Sequence, residues 1–371
     1  MEKPVKVLQL FTVLNRGGAE TNVMNYYRKL NQSKVQFDFV VHREEKGAYE
    51  DEIIQLGGKI FRFLPITPFT LSKYKQQVAT FFDQHKEYTI IHGQCSELGY
   101  FFYKEAHKRK IPIIIAHGHN SKVKFDLKYT FRFILKKAMM KYVNTYFSCG
   151  YDAAIWLFGK EKGQNAFIMN NAIDASKFSY NLQKNISIRE TLQAENTINI
   201  IHIGRFNLQK NHTFLIDVFK EIINSNNNYK LFLVGEGEHK EDIQTKVNNL
   251  NIQDKVNFLG LRADVNELLQ GMNIFLFPSL FEGLPVSFIE AQASGVKCFI
   301  SETIPSEATI IPQNVQAISL NKSAKYWAEQ ILANKNASKE NLEKEIIEAG
   351  YDINKNVRTL EKKYLSLLEN R

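Results

Sequence analysis

The sequence predicts an α/β fold in which two Rossmann-like, doubly wound domains face each other across a cleft. Short β-rich runs alternate with helix-length amphipathic segments along the chain, which is the pattern of strand–helix–strand units. A stretch rich in Asn, Ser and Lys at residues 170–196 interrupts this alternation near the middle and is expected to be a linker. The length of 371 residues suits two or three domains of roughly 150 residues each.

The first half of the chain contains a series of runs with the composition of strands. These runs are Val5–Phe11, Phe37–Val41, Lys59–Phe63, Thr89–Gly93, Ile111–Ala116, Thr145–Ser148 and Ala166–Asn170. Helical patterns separate them, for example at Ala19–Leu30 and Glu97–His107. Because such an alternation builds a parallel sheet with helices on both faces, residues 1–175 are expected to form one domain.

A second alternation follows the Asn-rich stretch and predicts a second domain over residues 176–352. Its strand-like runs are Ile198–Ile203, Leu231–Val234, Val256–Leu259, Ile274–Phe277, Lys297–Ser301 and Val315–Ser319. The tail, about residues 353–371, has the pattern of a final amphipathic helix. Ligands bind beyond the carboxyl ends of parallel strands, so the loops that follow the strands are the places to search for a site.

The composition excludes several classes of protein. Hydrophobic residues make up 44% of the chain and charged residues 23%, which excludes a disordered, collagen-like or purely coiled-coil protein. No apolar run approaches the roughly 20 residues that span a bilayer, and no signal-peptide pattern precedes the first strand. Cys95, Cys149 and Cys298 have no zinc or disulfide spacing. A cytoplasmic location is therefore expected.

The positive charge lies mainly in the first half of the chain. Residues 1–180 hold 27 Lys and Arg against 16 Asp and Glu, whereas residues 181–371 hold 21 against 23. The two halves thus carry +11 and −2 of the net charge of +9. A basic half favours anionic partners such as phosphates, nucleic acid or lipid head groups, although solubility alone also explains such a surplus.

Two glycines, Gly17 and Gly18, lie in the loop after the first strand-like run. They allow close backbone approach to a ligand, and the helix that follows offers free N–H groups to an anion. The loop is not G-x-G-x-x-G, and Gly235-Glu236-Gly237 lacks the third glycine, so a dinucleotide-binding fingerprint is absent. A plain tight turn is the alternative interpretation.

Two further strand ends carry polar side chains that suit a ligand. His117-Gly118-His119-Asn120 follows the run Ile111–Ala116, and no third metal ligand lies near it with the right spacing. Gly204 follows the run Ile198–Ile203, and Arg205 and Lys210 then place two cations that suit a diphosphate. The alternatives are structural histidines and solvated surface charges.

The segment from Glu282 to Glu290 is the most informative one. It begins with a turn that leads into a helix, and Pro285 fits the first helical position. The residues of this turn and of the helix start are Glu282, Gly283, Leu284, Pro285 and Val286. The N–H groups of Val286 and Ser287 then face outward at a helix N-terminus, which suits an anion. Glu290 follows on an apolar helix face, where an unpaired carboxylate costs several kcal/mol to bury, so a ligand hydroxyl is its expected partner. The alternative is a capped helix whose Glu290 side chain extends its carboxylate to solvent.

Together these motifs resemble those of retaining glycosyltransferases of family 4, which have the GT-B fold. The resemblance covers nearly the whole chain, and the spacing of the two carboxylates Glu282 and Glu290 is its most specific part. It also implies that the last helix, about residues 353–371, packs back on the first domain. The segment at residues 116–120 is similar to that of the branch that builds capsular polysaccharides and exopolysaccharides in bacteria. One departure is Asn170-Asn171-Ala172, which stands where the family has asparagine followed by glycine.

The resemblance implies roles for individual residues. Arg205 and Lys210 would hold the donor diphosphate, Glu282 would contact the donor sugar, and Glu290 would contact the ribose. The donor site would also include Leu261, at the base-contacting strand end that follows the run Val256–Leu259. Further donor-site residues would come from the loops described above: Gly17, Gly18, Gly204, Gly283, Leu284, Pro285 and Val286. The catalytic group would comprise His117, Glu282, Arg205 and Lys210. On the acceptor side, Gly18 and His117 would be joined by His119 and Asn120, with His119 as the alternative to His117 near the sugar.

The resemblance implies transfer of a hexosyl unit from a nucleotide sugar, with a UDP-sugar as the commonest donor, to a growing surface polysaccharide. The acceptor is a saccharide, with a polyprenyl-diphosphate carrier as one option. No Asp-x-Asp occurs in the sequence, so no metal or other cofactor is expected and protein groups must meet the charge of the leaving diphosphate.

A basic segment at residues 104–141 indicates a second kind of partner. Lys124, Lys128, Arg132 and Lys136 form one stripe at helical spacing. The adjoining apolar stripe is formed by Leu127, Phe131, Ile134, Leu135 and Ala138. Such a helix can lie on the inner face of an anionic membrane, or it can pack its apolar stripe on the sheet and leave its lysines in water.

Two other functions fit the same motifs. A GT-B nucleotide-sugar epimerase would act on a free donor and would need no acceptor groove. A non-catalytic, glycosyltransferase-like partner subunit would be expected to lose the carboxylate pair and the Arg/Lys pair, which are all present here. Nucleic-acid binding is not expected, because no basic groove with interleaved aromatic residues is recognisable.

Overall fold

The computed structural model describes residues 3–119, 129–334 and 339–369. The chain divides into two compact units, one formed by Met1–Ala172 with Ile353–Arg371 and the other by Ile173–Asp352. Each unit is built on one parallel sheet with helices packed against it. This confirms the predicted α/β class with two Rossmann-like, doubly wound sheets.

The first unit alternates strands and helices along most of its length. Its elements are β1 (Val5–Leu10), α1 (Gly18–Lys29), β2 (Val35–Val41), α2 (Glu50–Gln55), β3 (Ile60–Arg62), α3 (Leu71–Gln84), β4 (Ile90–Gly93), α4 (Tyr100–Lys108), β5 (Ile113–Gly118), α5 (Tyr129–Met139), β6 (Thr145–Ser148), α6 (Tyr151–Phe158), α7 (Lys160–Gln164) and β7 (Phe167–Ile168). The sheet order is β3-β2-β1-β4-β5-β6-β7.

The second unit follows the same plan. Its elements are α8 (Ala175–Phe178), α9 (Leu182–Thr191), β8 (Ile198–Ile203), α10 (His212–Ser225), β9 (Tyr229–Val234), α11 (Lys240–Asn249), β10 (Val256–Gly260), α12 (Val265–Leu268), β11 (Ile274–Phe277), α13 (Val286–Ala293), β12 (Lys297–Ser301), β13 (Val315–Ile318), α14 (Ala324–Ala333) and α15 (Glu343–Glu348). The sheet order is β10-β9-β8-β11-β12-β13.

The chain ends in α16 (Ile353–Glu369), which belongs to the first unit. This helix packs against α1, and the ring of Tyr364 meets that of Phe37 edge-on at 5.9 Å between centroids. Tyr364 is fully buried, and Ile353 and Leu360 on the same face of the helix are each only 1% exposed. The amphipathic pattern at the end of the sequence therefore covers one face of the first sheet.

The central strands are buried on both sides because their sequences are largely apolar. Every residue of β5 is buried, and so is every residue of β11. Strands of this kind form the middle of parallel sheets whose two faces are covered by helices. Since all pairs are parallel, the loops that follow β1, β4 and β5 leave the first sheet at one edge, and those that follow β8, β9 and β11 leave the second sheet at one edge.

The interpretation of residues 170–196 as a linker was wrong for much of its length, because α8 and α9 lie there. The side chain of Asn181 caps α9 by accepting a hydrogen bond from the Lys184 N–H at 3.0 Å. The Asn181 N–H in turn donates to Gln270 Oε1 at 2.8 Å, and Ile188 is buried in the second unit. The Asn that lowers helix propensity inside a segment acts here as an N-cap.

Among the helices of the described ranges, none is both long enough and apolar enough to cross a bilayer.

Candidate functional site

Two loops meet at the carboxyl edge of the second sheet, one after β8 and one after β11. The Leu280 N–H donates to the Gln209 carbonyl at 2.8 Å, and the Gln209 side chain donates to the Phe281 carbonyl at 2.9 Å. The Asn211 side-chain amide adds a third bond, to the Pro278 carbonyl at 3.1 Å. These bonds place the predicted basic loop directly beside the predicted carboxylate loop.

Lys210 and Glu282 form an ion pair between the two loops. Lys210 Nζ lies 2.7 Å from Glu282 Oε1, and the two side chains are only 14% and 8% exposed. The ammonium also lies 4.4 Å from the centroid of the Phe277 ring, close enough for a cation–π contact. The structure thus brings together two residues that the sequence placed 72 positions apart.

Gly204 makes room for this lysine. A Cβ atom at Gly204 would lie 2.9 Å from Lys210 Cε and 3.1 Å from His202 Nε2. A side chain there would therefore push the lysine away from the edge of the sheet. Gly235 stands next to this turn with φ +142°, and a Cβ on it would come within 2.1 Å of the Gly204 carbonyl oxygen.

Arg205 differs from Lys210 in its surroundings. Its side chain is exposed, and no carboxylate of the described residues lies within ion-pair distance of it. The side chain therefore extends into solvent at the same sheet edge. An exposed guanidinium without a protein partner is free to bind an anion with two parallel N–H groups.

The N-terminus of α13 lies at the same edge, immediately after Glu282. Gly283, Leu284, Pro285 and Val286 are buried, so the backbone of this turn is held firmly. The Ser287 hydroxyl donates to the Ile203 carbonyl at 3.3 Å and ties the helix to the end of β8. The first N–H groups of a helix have no partner inside the helix, so this N-terminus adds positive electrostatic potential to the site.

Glu290 lies on α13 one turn further on, beside the buried side chains of Phe288 and Ile289. Its carboxylate has no hydrogen-bond or ion-pair partner in the described part of the chain. Desolvation by the surrounding protein raises the pKa of Glu290 to about 7. A carboxylate kept in such a place is expected to gain its hydrogen bonds from a ligand.

Leu261 follows the end of β10 and is half exposed. The carbonyl of the preceding Gly260, which has φ +65°, accepts a hydrogen bond from the Gly235 N–H at 2.9 Å. This bond connects the loop that carries Leu261 to the glycine turn beside Gly204. The predicted donor residues of the second unit therefore all belong to loops, or to the first turns of a helix, at one sheet edge.

In the first unit, Gly17 and Gly18 begin α1 after β1. A Cβ atom on Gly17 would lie 2.4 Å from Glu20 Oε2, whereas one on Gly18 would meet no atom of the described residues within 4 Å. Protein packing therefore does not explain the glycine at position 18. The open space in front of it agrees with the predicted role of this turn in approaching a ligand, which stays a prediction.

His117 and His119 extend the strand β5 at the corresponding edge of the first sheet. Their rings stack with centroids 4.3 Å apart and planes inclined by 7°. His117 is fully buried, whereas His119 is partly exposed. Of the two histidines proposed for the sugar, His119 is therefore the one nearer to solvent, and the catalytic role of His117 stays a prediction. Asn120 lies outside the described residues.

Burial keeps these imidazoles neutral. Desolvation lowers the pKa of His119 to about 4 and that of His117 well below its ordinary value. Desolvation also lowers the pKa of the neighbouring His92, to about 3. At neutral pH each ring therefore has one N–H donor and one acceptor nitrogen.

The sequence did not identify His92, Gln94 and Tyr364 as site residues, although all three contact the histidine pair directly or through one another. The available signal was weak: His92 is a polar residue inside an apolar strand-like run. Tyr364 carried no signal at all, because its partner His92 is 272 residues away in the chain.

Within the three described ranges, no group of three His, Cys, Asp or Glu side chains is arranged to hold a metal ion.

Comparisons with known proteins indicate the family and the fold of the chain. The family model described as "Glycosyl transferases group 1" matches residues 183–353. Over 365 residues the chain is 31% identical to EpsF of Bacillus subtilis (strain 168), provisionally named a glycosyltransferase, with 96% of this chain and 95% of EpsF covered. It is 24% identical over 334 residues to the capsular polysaccharide biosynthesis glycosyltransferase CapH of Staphylococcus aureus, with 88% and 90% covered.

A shorter stretch of 139 residues is 29% identical to the UDP-Gal:alpha-D-GlcNAc-diphosphoundecaprenol alpha-1,3-galactosyltransferase of Escherichia coli, with 36% of each chain covered. Among solved structures, Anabaena Alr3699/HepE in complex with UDP-glucose matches with a TM-score of 0.80 at 15% identity, covering 97% of this chain and 99% of that one. At this identity the likeness shows the fold alone, and it agrees with the expected GT-B class.

The unpartnered carboxylate of Glu290 predicts an unusual pH dependence. Its pKa is raised from 4.5 to about 7 in the folded protein, so the unfolded chain binds fewer protons between these values. Because the folded protein retains this proton while the unfolded chain loses it, the free energy of unfolding falls as the pH rises through this window. We expect Glu290→Gln to raise the free energy of unfolding at pH 8 by about 1–3 kcal/mol, measured by calorimetry, and to change it little near pH 5.

The matched control is Glu329→Gln, which alters an exposed carboxylate of α14 in the same unit. It should leave stability unchanged at both pH values. A loss of stability at pH 8 in Glu290→Gln would show that the carboxylate is satisfied by the protein.

Proposed function

The chain belongs to the glycosyl transferases of group 1, and on that premise we propose that it is a retaining enzyme that moves a hexosyl unit from UDP-sugar to a bacterial surface polysaccharide. The observation that carries this proposal is the buried Lys210–Glu282 pair beside the exposed Arg205 and the N-terminus of α13. The polysaccharide acceptor is supported by the likeness to CapH, whose name assigns it to capsular polysaccharide biosynthesis.

The chemistry of the donor explains the two cations. Departure of the nucleotide leaves negative charge on the diphosphate, and two cations at about 4 Å each offer about 4 kcal/mol at an effective dielectric constant near 20, before desolvation is subtracted. The N–H groups of α13 add about 1 kcal/mol. Arg205 and Lys210 in these positions thus supply a sizeable part of the roughly 8–23 kcal/mol by which enzymes lower reaction barriers.

The ion pair has a positioning role in this proposal. Glu282 holds the Lys210 ammonium in place, and the Phe277 ring limits its movement from the other side. A lysine that is already fixed loses less side-chain entropy when the diphosphate binds. The sugar attached to that diphosphate would then lie close to the Glu282 carboxylate, where its hydroxyl groups find an acceptor.

We propose that Glu290 accepts hydrogen bonds from the ribose of the nucleotide and that the loop at Leu261 faces the base. The support for the first assignment is the raised pKa of Glu290 and the absence of a partner for its carboxylate among the described residues. Retention of configuration is inferred from the resemblance of the Glu282–Glu290 segment. Its test is the anomeric configuration of the first-formed product, determined by NMR spectroscopy.

We propose a lipid-linked saccharide as the acceptor. The support is the partial likeness to the Escherichia coli galactosyltransferase, whose name includes a diphosphoundecaprenol acceptor, and the surface of α5. Phe133 and Ile134 on this helix are 41% and 58% exposed, and Lys137 Nζ lies 4.6 Å from the Phe133 ring centroid. Exposed apolar residues beside lysines suit the interface of an anionic membrane.

The stripes predicted for this helix need correction. Arg132 pairs with the buried Glu97 at 2.5 Å, and Lys136 donates to the Trp156 carbonyl, so neither points freely into solvent. Within the predicted apolar stripe, Leu135 is buried as expected but Ile134 is exposed. The reason is that the buried Glu97 carboxylate draws Arg132 inward, whereas the Trp156 carbonyl and ring hold Lys136. Leu127, Lys124 and Lys128 lie outside the described residues, and nothing is described of the Phe131 side chain.

The two cations predict different effects of their removal. Lys210→Ala should lower the transfer rate by on the order of 10²–10³ and also destabilise the protein, because it removes the ammonium that lies 2.7 Å from the buried Glu282 carboxylate. Arg205→Ala should weaken UDP binding without changing Tm, because its side chain has no protein partner to lose among the described residues. Calorimetric titration with UDP and thermal unfolding measure these quantities.

The control for both is Lys325→Ala, which removes an exposed lysine from α14. Near-normal turnover of Lys210→Ala at saturating donor would remove Lys210 from the mechanism.

Transfer is expected to proceed without a divalent metal, because protein cations meet the diphosphate charge. Initial rates measured in excess EDTA should equal those measured without it. Loss of activity that Mg²⁺ or Mn²⁺ restores would contradict this assignment.

The surface of α5 predicts binding to anionic vesicles. Replacing Phe133 and Ile134 by Ser should reduce co-sedimentation with phosphatidylglycerol-containing vesicles, because apolar area no longer enters the interface. Leu182→Ser, which removes an equally exposed apolar side chain from the second unit, is the control and should have no effect. Equal sedimentation of the wild-type protein and both variants would count against a membrane role for this helix. So would the failure of all three proteins to sediment with the vesicles.

A further inference from the structure

Six side chains of the first unit, including the histidine pair His117 and His119, form a closed ring. Five hydrogen bonds join them in series, and the stacked imidazoles of the two histidines close the ring. On one side, His117 Nδ1 lies 3.0 Å from His92 Nε2, and His92 Nδ1 lies 2.6 Å from the Tyr364 hydroxyl. Each of these three residues is fully buried. The C-terminal helix is therefore joined to His117 through a single intervening imidazole.

The other side of the ring returns from the same tyrosine to the second histidine. The Gln9 side-chain amide donates to the Tyr364 hydroxyl at 3.5 Å, and Gln94 Nε2 donates to Gln9 Oε1 at 2.8 Å. Gln94 Oε1 then lies 2.7 Å from His119 Nε2. Because His117 and His119 stack face to face, both ends of the chain of bonds meet at one pair of rings.

The bonds of this ring all run in one direction. Gln9 presents an N–H to the Tyr364 hydroxyl, so among the described residues His92 Nδ1 is the acceptor left within hydrogen-bond distance for the hydroxyl hydrogen, and Tyr364 donates to it. His92 is then protonated on Nε2 and donates to His117 Nδ1. At the opposite end, Gln94 presents its carbonyl oxygen, so His119 must donate from Nε2. Reversing the Tyr364–His92 bond would leave the buried hydroxyl hydrogen without an acceptor among the described residues, and reversing the Gln94–Gln9 bond would require both amides to turn over.

The direction determines what each histidine offers. His117 carries its proton on Nε2, a buried atom with no hydrogen-bond partner among the described residues. His119, which is the partly exposed ring, carries its proton on Nε2 as well and therefore presents Nδ1 as an acceptor. His117 and His119 thus have the same tautomer for different reasons. His117 accepts the last hydrogen bond of the series at Nδ1, whereas His119 donates the first one from Nε2.

We propose that Tyr364 is a positioning residue that closes this ring and so fixes His117 and His119 as Nε2–H tautomers, leaving His119 Nδ1 to accept a hydrogen bond from a substrate hydroxyl. The substrate part of this inference rests on the proposed function, whereas the tautomers do not. A helix at the far end of the chain would thereby control the hydrogen-bonding character of a site formed after β5.

The surroundings of Tyr364 suit this role. Its ring stacks on that of Phe147 at 6.2 Å between centroids and meets Phe37 edge-on, which fixes the direction of the hydroxyl. Burial raises the pKa of Tyr364, so the phenol remains a donor. Burial also lowers the pKa values of His92 and His119 to about 3 and about 4, so the neutral forms that the ring requires are present at pH 7.

The test is the tautomer of each histidine in the full-length protein, read from long-range ¹H–¹⁵N NMR spectra of a ¹⁵N-histidine-labelled sample at pH 7.5. The chain has nine histidines, which single His→Gln substitutions assign. The wild-type protein should show Nε2–H tautomers for His92, His117 and His119. In Tyr364→Phe, the ¹⁵N shifts of His92 and His117 should move toward a mixture of tautomers.

Tyr326→Phe, which alters a partly exposed tyrosine of the second unit, is the matched control and should leave these shifts unchanged. Gln94→Met opens the ring on the opposite side and serves if Tyr364→Phe does not fold; it should release His119 first. An Nδ1–H tautomer of His119 in the wild-type protein, or unchanged histidine shifts in the ring-opening variant that folds, would overturn the proposal.

Activity separates this inference from the proposed function. Tyr364→Phe should lower kcat for sugar transfer by about tenfold, comparable to the loss of one modest hydrogen bond, with the KM for the donor little changed. If the wild-type protein transfers no sugar, the proposed function fails, and the NMR result still decides the tautomers. Unaltered kcat together with shifted tautomers would overturn the link to the substrate.

Discussion

The ion pair between Lys210 and Glu282 is the interaction on which the donor side of the molecule depends. Charges that are 14% and 8% exposed are costly to desolvate, and they are tolerated because each compensates the other at 2.7 Å. The pair also locks the loop after β8 to the loop after β11, alongside the hydrogen bonds of Gln209 and Asn211. Binding and catalysis in this proposal therefore use groups whose positions are set before the donor arrives, which reduces the entropy lost on binding.

The architecture could be predicted from the sequence because hydrophobic periodicity is a local signal. Each predicted strand-like run overlaps a strand of the structure, and the parallel pairing of those strands places the loops that carry Gly204 and Glu282 at one edge. The convergence of Lys210 and Glu282 follows from that topology, since β8 and β11 are neighbours in the sheet. The spacing from Glu282 to Glu290 places one carboxylate in the turn before α13 and the other in the second turn of that helix.

Other features depend on contacts between distant parts of the chain and were beyond sequence reasoning. The ring that joins Gln9, His92 and Tyr364 uses residues from the first strand, a central strand and the last helix, and no local pattern connects them. The inward pull of Glu97 on Arg132 was missed for the same reason, because helical spacing shows which residues share a face but not what covers it. The Asn-rich stretch was misjudged because Asn181 favours a helix end and disfavours a helix interior.

The most direct test of the account is a crystal structure of the protein with UDP bound. The account predicts that the diphosphate lies at the carboxyl edge of the second sheet, within hydrogen-bond distance of Lys210 Nζ and the Arg205 guanidinium, at the N-terminus of α13. It also predicts that the ribose hydroxyls reach the Glu290 carboxylate. Density for UDP at any other place, with Lys210 and Glu290 untouched, would contradict it.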